Sequence, residues 1–402
     1  MQYRTIPKTG EKVSALGFGA MRLTTNTGTI DRQKAKEEIK YAIDNGINII
    51  DTAYMYGGGD NEKAVGEILE ELNYRNKVNI STKLNFRKIK TRQDIYDMFN
   101  EEIERLKTDH IDFYFLHSLV EYKNLENLRE LGIFEFIEEK KASGEIRNIG
   151  FSFHGPYNEF IKLVDAYNWD MCMVQFNYTD ERYQAGINGI KYLASKNIAV
   201  FIMEPLKGGL LAGKLPDVIE KDIKQHNTNK SNAELALSWV FNFPEVTCVY
   251  SGMNSLDMIE ENIKIVETAT ADSLNSNELE LITNIGNKIN ELSKINCTTC
   301  NYCMPCPYGV NIPECFKLYN ERFLFNTKMY GINHSLAMYI FNLLGLSGEA
   351  HDASLCKNCG ICVSKCPQHI NIPQELKNVD KKFHRRLLKP LVPLINRIIK
   401  LM

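Results

Sequence analysis

The chain has 402 residues, 44% of them hydrophobic, and a formal net charge of −2. A (β/α)8 barrel takes roughly 250 residues, so this length permits a large core with a second element beside it. The balanced charge excludes the broad basic surface of a nucleic-acid binder, and no run of about 18 apolar residues offers a transmembrane span.

The opening residues, MQYRTIPKTG, lack the charged start and apolar run of a secretory signal, so a cytoplasmic protein is expected. YRTI and KVSAL flank the turn KTGE as a short hairpin. From SALGFGAM (14–21) onward, apolar runs of strand length recur: NIID (48–51), VNISTK (78–83), IDFYFLH (111–117), IRNIGFSF (146–153), MCMVQFN (171–177), AVFIMEP (199–205) and VTCVYSG (246–252). Between them lie helical patterns, among them RQKAKEEIKYAIDNG, EKAVGEILEEL, DIYDMFNEEIERL, LRELGIFEFIEEKKASG, YNEFIKLVDAY and NAELALSWVFNF. Eight strands alternating with helices predict an α/β fold, a (β/α)8 TIM barrel over residues 1–285. The alternative is an open doubly wound sheet. It is weakened because no G-x-G-x-x-G opens a helix after the first strand.

Side chains at the carboxyl ends of barrel strands converge on one mouth. Asp51, Lys83 and His117 end the second, third and fourth strands, and Tyr56 follows Asp51 in DTAYMYGGG. Each alone reads more readily as a structural polar residue. Together they form a chemical set: a carboxylate keeps a neighbouring ammonium charged, and the ammonium eases ionisation of a phenol that can then exchange a proton. Tyr54 reads as packing near the mouth, and the long segment GGLLAGKLPDVIEKDIKQHNTNKSN is expected to shape substrate choice.

DTAYMYG, STK and FLH at successive strand ends resemble the aldo-keto reductase family over residues 1–285. The resemblance implies NAD(P)-dependent hydride transfer to or from a small carbonyl or alcohol substrate. It makes Tyr56 the proton donor, tuned by Lys83 and Asp51, and gives His117 the task of orienting the carbonyl. It also implies cofactor contacts. Gly19, Ala20 and Met21 follow the first strand; Ser152 and Gln175 match the carboxamide grip, with Phe153 in place of the usual asparagine. Met203, Pro205 and Leu206 stand beside the nicotinamide, with Met203 where many members stack an aromatic ring. Ser251, Gly252, Glu261 and Asn262 match the adenosine segment, but the basic residues that often grip a 2′-phosphate are missing, with Gly252 and Met258 in their places. NADP and NAD therefore both stay open.

Of 11 cysteines, eight fall in two runs, CTTCNYCMPCP (297–307) and CKNCGICVSKCP (356–367). The second has the C-x2-C-x2-C-x3-C-P spacing of a bacterial 4Fe-4S ferredoxin, in which the cysteine before proline crosses to the other cluster. Two 4Fe-4S clusters are expected, one on Cys356, Cys359, Cys362 and Cys306, the other on Cys297, Cys300, Cys303 and Cys366. The first run departs from the pattern, with only Met304 and Pro305 between Cys303 and Cys306, which leaves Cys315 as a substitute ligand. Two structural zinc sites are the alternative, although zinc has no use for three cysteines at consecutive x2 steps. CNYCMPCPYGVNIP and CGICVSKCPQHINIP resemble the aldo-keto reductase subset with a C-terminal ferredoxin-like domain, a small, mainly α-helical unit placed here at 286–378. ECFKLYNERFLF and SLAMYIFNLLGL read as helices between the motifs.

Such a domain implies ferredoxin or another electron carrier as a partner. A different reading makes the clusters structural, and a third makes the chain an electron-transfer module with an idle nicotinamide-binding barrel. The tail, 379–402, sets seven basic residues against Asp380, with leucine and isoleucine at helical spacing broken by Pro390 and Pro393. It reads as a peripheral contact with anionic lipid, an arm for an acidic ferredoxin, or a segment packed across the barrel.

Overall fold

A computed structural model of the chain describes residues 1–26, 28–226, 228–325, 328, 329, 332–344 and 349–383. Eight parallel strands close into a barrel: Leu16–Gly19, Ile49–Asp51, Asn79–Leu84, Ile111–Leu119, Ile146–Phe153, Met171–Gln175, Ala199–Met203 and Val246–Ser251. Each pairs with the next in the chain and the eighth returns to the first, Ser251 opposite Phe18. The expected (β/α)8 architecture is thus the observed one. The hairpin of Tyr3–Thr5 and Lys12–Ser14 precedes it, and its flanking Ile6 and Val13 join the core inside the barrel.

That inner core follows from strand parity. Side chains alternate across a strand, so Ile49, Phe113, Phe115, Met171, Met173, Ala199 and Phe201 face one another inside. The Phe201 ring lies 5.6 Å from Phe113, 5.8 Å from Phe115 and 5.6 Å from Tyr250. Continuing each series by two residues reaches Asp51, His117, Gln175 and Met203 at the carboxyl ends. The same strands that pack the lumen therefore deliver polar groups to its mouth.

The helices form where the period of the apolar residues predicts them, for example Arg32–Asp44, Asp60–Leu72 and Arg92–Leu106. Thr91 caps the last of these, accepting from Asp94 N while the Asp94 carboxylate accepts from Thr91 N. One expected helix divides. LRELGIFEFIEEKKASG contributes to two helices, Tyr122–Glu130 and Ile133–Ser143, because Gly132 between them adopts φ 86°, a left-handed conformation that ends one helix and lets the next begin.

The described residues pack as two compact units, one drawn from 1–206 and 230–279, the other from 207–229 and 280–383. The second unit therefore includes the helix Asp217–Gln225, which the sequence places between the seventh and eighth barrel strands. Its Asp222 pairs with Lys288.

The second unit has a core of its own. The helices Ile312–Leu324, His334–Asn342 and Ile372–Phe383 contribute Phe316, Leu318, Tyr339, Leu376 and Phe383 to it, with the Tyr339 and Phe383 rings stacked at 4.3 Å. Two of these helices start at the N-I-P steps after the cysteine runs, with proline in the first turn where its missing N–H costs nothing. The expected basic tail lies, beyond Phe383, outside the described residues. No described helix is long and apolar enough to cross a membrane.

Candidate active site and thiol centre

Strand register brings the first set of candidates together. Gly19 pairs with Asp51, Asp51 with Ser81, and Lys83 with Phe115 on the strand that carries His117. Lys83 is 1% exposed, and its Nζ donates to Asp51 Oδ2 at 2.6 Å, to the Thr52 carbonyl at 2.6 Å and to Tyr56 Oη at 3.2 Å. Ser81 Oγ donates to the other Asp51 oxygen at 2.8 Å. Burial pushes the Lys83 ammonium below its ordinary range, and Asp51 opposes that shift. The Asp51 carboxyl is itself pushed up by burial, against the pull of Lys83 and Ser81.

Tyr56 begins a short turn, Tyr56–Gly59, and its ring meets His117 edge to face with centroids 6.0 Å apart. His117 is held well below the usual imidazole range by burial, by the positive Lys83, and by His154 and Arg87. It is neutral at physiological pH. Tyr54 is directed elsewhere: its hydroxyl donates to Glu101 at 2.7 Å and its ring faces the Arg105 guanidinium at 4.4 Å.

Of the candidate cofactor residues, Gly19, Ser152, Gln175, Met203 and Ser251 stand at or next to the carboxyl ends of strands, Ala20, Met21, Pro205, Leu206 and Gly252 follow those ends, and Glu261 and Asn262 lie in the helix Leu256–Thr268. Ser152 Oγ accepts from Ser118 N at 2.7 Å, and Gln175 Nε2 donates to Asp180 at 2.8 Å. Phe153, in the place of the expected asparagine, is fully buried with its ring 5.0 Å from Phe160, so it serves the core. Met203 ends the seventh strand and is half-buried, followed by buried Pro205 and half-buried Leu206. Ser251 and Asn262 are buried against each other, Nδ2 to Oγ 2.8 Å, whereas Glu261 is exposed and accepts from Ser231. Ala20 is buried, with Gly19 and Met21 half-buried on either side.

Several residues that the sequence did not single out hold this arrangement. Thr52 Oγ1 donates to Asn61 at 2.6 Å, and Asn61 donates to the Ala20 carbonyl at 2.7 Å, a buried chain from the Lys83 acceptor to the first-strand turn. Asp180 gathers Gln175 and Asn177, at 2.8 and 3.1 Å. Thr52 is marked by its place next to a strand end, whereas Asn61, in the helix Asp60–Leu72, and Asp180 carry no such signal.

In the second unit, the thiols fall into two sets. Burial raises the Cys303 thiol, as do Cys300, Cys297 and Cys366 beside it. Burial likewise raises Cys362, with Cys356, Cys359 and Cys306 as its thiol neighbours. A hollow is lined by Cys297, Cys300, Cys303 and Cys366 together with the apolar Ile312, Phe316, Ile370 and Ile372. Four sulfurs around an apolar hollow form a donor set that fits a metal–sulfur group. Among the described residues, no three His, Cys, Asp or Glu side chains converge as they would on a single ion.

The two runs also match in backbone. Thr299 and Asn301 in the first, and Asn358 and Gly360 in the second, have φ of 55°, 64°, 57° and 78°. Thr299 N and Asn358 N both lie 3.4 Å from the sulfur two residues earlier, on Cys297 and Cys356. A β-branched residue in this region costs on the order of 1–3 kcal/mol, which the turn accepts in aiming an N–H at sulfur. Cys315 belongs to neither set: it is buried in the helix Ile312–Leu324, near the His351 carbonyl at 3.9 Å.

Comparison with known proteins gives two family matches, the aldo/keto reductase family over residues 15–283 and a 4Fe-4S dicluster domain over residues 296–372. L-galactose dehydrogenase of Arabidopsis thaliana is 28% identical over 311 residues, 70% of this chain and 94% of that protein. Among solved structures, the holo form of aldo-keto reductase AKR11C1 from Bacillus halodurans is similar at 27% identity and a TM-score of 0.59, covering 71% of this chain and 96% of its own. An aldo-keto reductase from Klebsiella pneumoniae in complex with NADPH shares the fold, with a TM-score of 0.58 at 20% identity over 71% of this chain and 95% of that one.

Proposed function

The chain belongs to the aldo/keto reductase family and is an oxidoreductase, and from that premise we propose that it interconverts a small carbonyl compound and its alcohol with Tyr56 as the acid/base. The observation that carries this reading is Lys83 Nζ, shared between Asp51 at 2.6 Å and Tyr56 Oη at 3.2 Å. NADP or NAD, when bound, supplies or accepts the hydride.

The rest is the work of the chain's own groups. In the reductive direction Tyr56 Oη gives its proton to the carbonyl oxygen, and the adjacent ammonium stabilises the phenolate that remains. Asp51 offsets the burial that would otherwise discharge Lys83. His117, neutral, keeps a ring N–H with which to orient the carbonyl. In the oxidative direction the Tyr56 phenolate takes the proton back. Gly19, Ala20, Met21, Ser152, Gln175, Met203, Pro205 and Leu206 would hold the nicotinamide half, and Ser251, Gly252, Glu261 and Asn262 the adenosine half.

We assign the thiols to two 4Fe-4S clusters, Cys297, Cys300, Cys303 and Cys366 for one, Cys356, Cys359, Cys362 and Cys306 for the other. The two thiol sets and the four-sulfur hollow support the crossed assignment. Such clusters supply single electrons when bound, and ferredoxin or a similar carrier is the partner this implies, in a cytoplasm that keeps thiols reduced. A structural role is favoured by a different observation: Cys362 is part of the unit's core, and Cys297, Cys303, Cys306, Cys356 and Cys366 pack against it.

The test is anaerobic. Reconstituted protein is assayed with NADPH or NADH against a panel of aldehydes and ketones, beside Tyr56→Phe. Reduction by the wild type and its loss in the variant support the reading; equal activity in both would remove Tyr56 from it.

A further inference from the structure

We propose that Arg22 supplies the cation for a phosphate of the bound adenine dinucleotide, in place of the basic side chains absent from the eighth-strand segment; the inference rests on the nicotinamide reading above. Residues 251–262 contain three carboxylates, Asp257, Glu260 and Glu261, and no lysine or arginine. A phosphate seated there needs a cation from another element.

The fold delivers one. The turn Ala20–Arg22 leaves the first strand at its carboxyl end, and that strand pairs with the eighth, Phe18 opposite Ser251. Arg22 therefore stands across the seam from Gly252. A Cβ built on Gly252 would lie 3.2 Å from Arg22 Cδ, 3.5 Å from Cγ and 3.6 Å from Cβ. The aliphatic stem of the arginine thus fills the space that any side chain at 252 would claim. Glycine at 252, with no side chain, leaves the room in which an arginine from the turn after the neighbouring strand lies over that backbone.

The placement is anchored. Leu23 N donates to the Ala20 carbonyl at 3.1 Å, and Thr24 Oγ1 donates to the Asn254 carbonyl at 3.1 Å, tying the turn to the loop after the eighth strand. Arg22 is half-buried and Gly252 exposed, so the stem is covered at a position open to a ligand. A planar guanidinium here can grip two phosphate oxygens at once.

The experiment measures binding of NADP and of NAD to the anaerobic holoprotein by calorimetry, for wild type, Arg22→Ala and Gly252→Val, with visible absorption as the check on intact clusters. Arg22→Ala should weaken binding about tenfold, the effect of one charge-assisted contact. Loss for NADP alone assigns Arg22 to the 2′-phosphate, and equal loss for both nucleotides assigns it to the pyrophosphate. Gly252→Val, which evicts the stem, should reproduce the loss with Arg22 still present. Unchanged affinity of Arg22→Ala for both nucleotides overturns the proposal and leaves the catalytic reading intact. Failure of the wild type to bind either nucleotide would remove the nicotinamide reading itself, and this inference with it.

Discussion

An ammonium has three protons to place, and Lys83 gives them to Asp51, the Thr52 carbonyl and Tyr56. Burying that charge unpaired would cost several kcal/mol, so the pairing sets both the stability and the chemistry of the site. Lys83→Met should leave Asp51 buried without its cation and lower stability by about 3–5 kcal/mol, measured by denaturant unfolding under anaerobic conditions. Tyr56→Phe removes the hydroxyl, and with it the exchangeable proton and one of the three acceptors of Lys83. It should keep the fold and the nucleotide affinity while lowering kcat by roughly 10²–10⁴-fold, and a matching loss of affinity would make Tyr56 a binding residue instead.

His117 adds a pH dependence. Its folded-state pKa is depressed, chiefly by burial, whereas the unfolded chain takes a proton near pH ~6.5. Stability is therefore fully present above that value and falls as pH drops below it. The wild-type unfolding midpoint should decline between about pH 7 and 5.5, and His117→Asn should flatten that decline. The four tetrad residues are legible in the sequence because each marks a strand end or stands in the turn just after one. Asn61 and Asp180 are not, since their roles are hydrogen bonds across elements that no periodicity announces.

At the scale of elements, strand parity explains why the barrel could be read in advance: runs such as IDFYFLH carry both the lumen core and, two residues on, a site residue. Helix ends were less visible, because Gly132 inside an otherwise helical pattern decides its break by backbone conformation. The cysteine runs show a different kind of legibility. Their spacing names the candidate ligands and the crossing alike, and the folded backbone brings Cys366 beside the first run and Cys306 beside the second. Crossing makes a sharp prediction. Cys366→Ser lies in the second motif yet should remove the cluster of the first, lowering bound iron from about eight to about four per chain and leaving the signal of the set around Cys362. Loss of the Cys356, Cys359 and Cys362 cluster instead would mean that each motif serves its own cluster.

For the whole molecule, the function proposed above gives the two units different electron chemistry. Nicotinamide moves them in pairs as hydride, while an iron–sulfur cube moves one at a time. A shared path therefore needs the carbonyl substrate as the place where the two currencies meet, a requirement that two independent functions on one chain would not impose. The expected outcome, under a shared path, is that stopped-flow mixing of oxidised holoprotein with NADPH and a carbonyl compound bleaches the visible cluster absorption: the carbonyl takes the hydride and a proton, and the alcohol so formed returns two protons to solvent and one electron to each of two clusters. Clusters that dithionite reduces but turnover leaves oxidised would break the path. The second unit would then be a folding device or a port for a separate carrier, and cluster-free protein tells these apart: a folding role predicts loss of the core that holds Phe316, Tyr339 and Phe383 and against which the cysteines pack, whereas a port predicts that the core survives and only electron exchange with ferredoxin is lost.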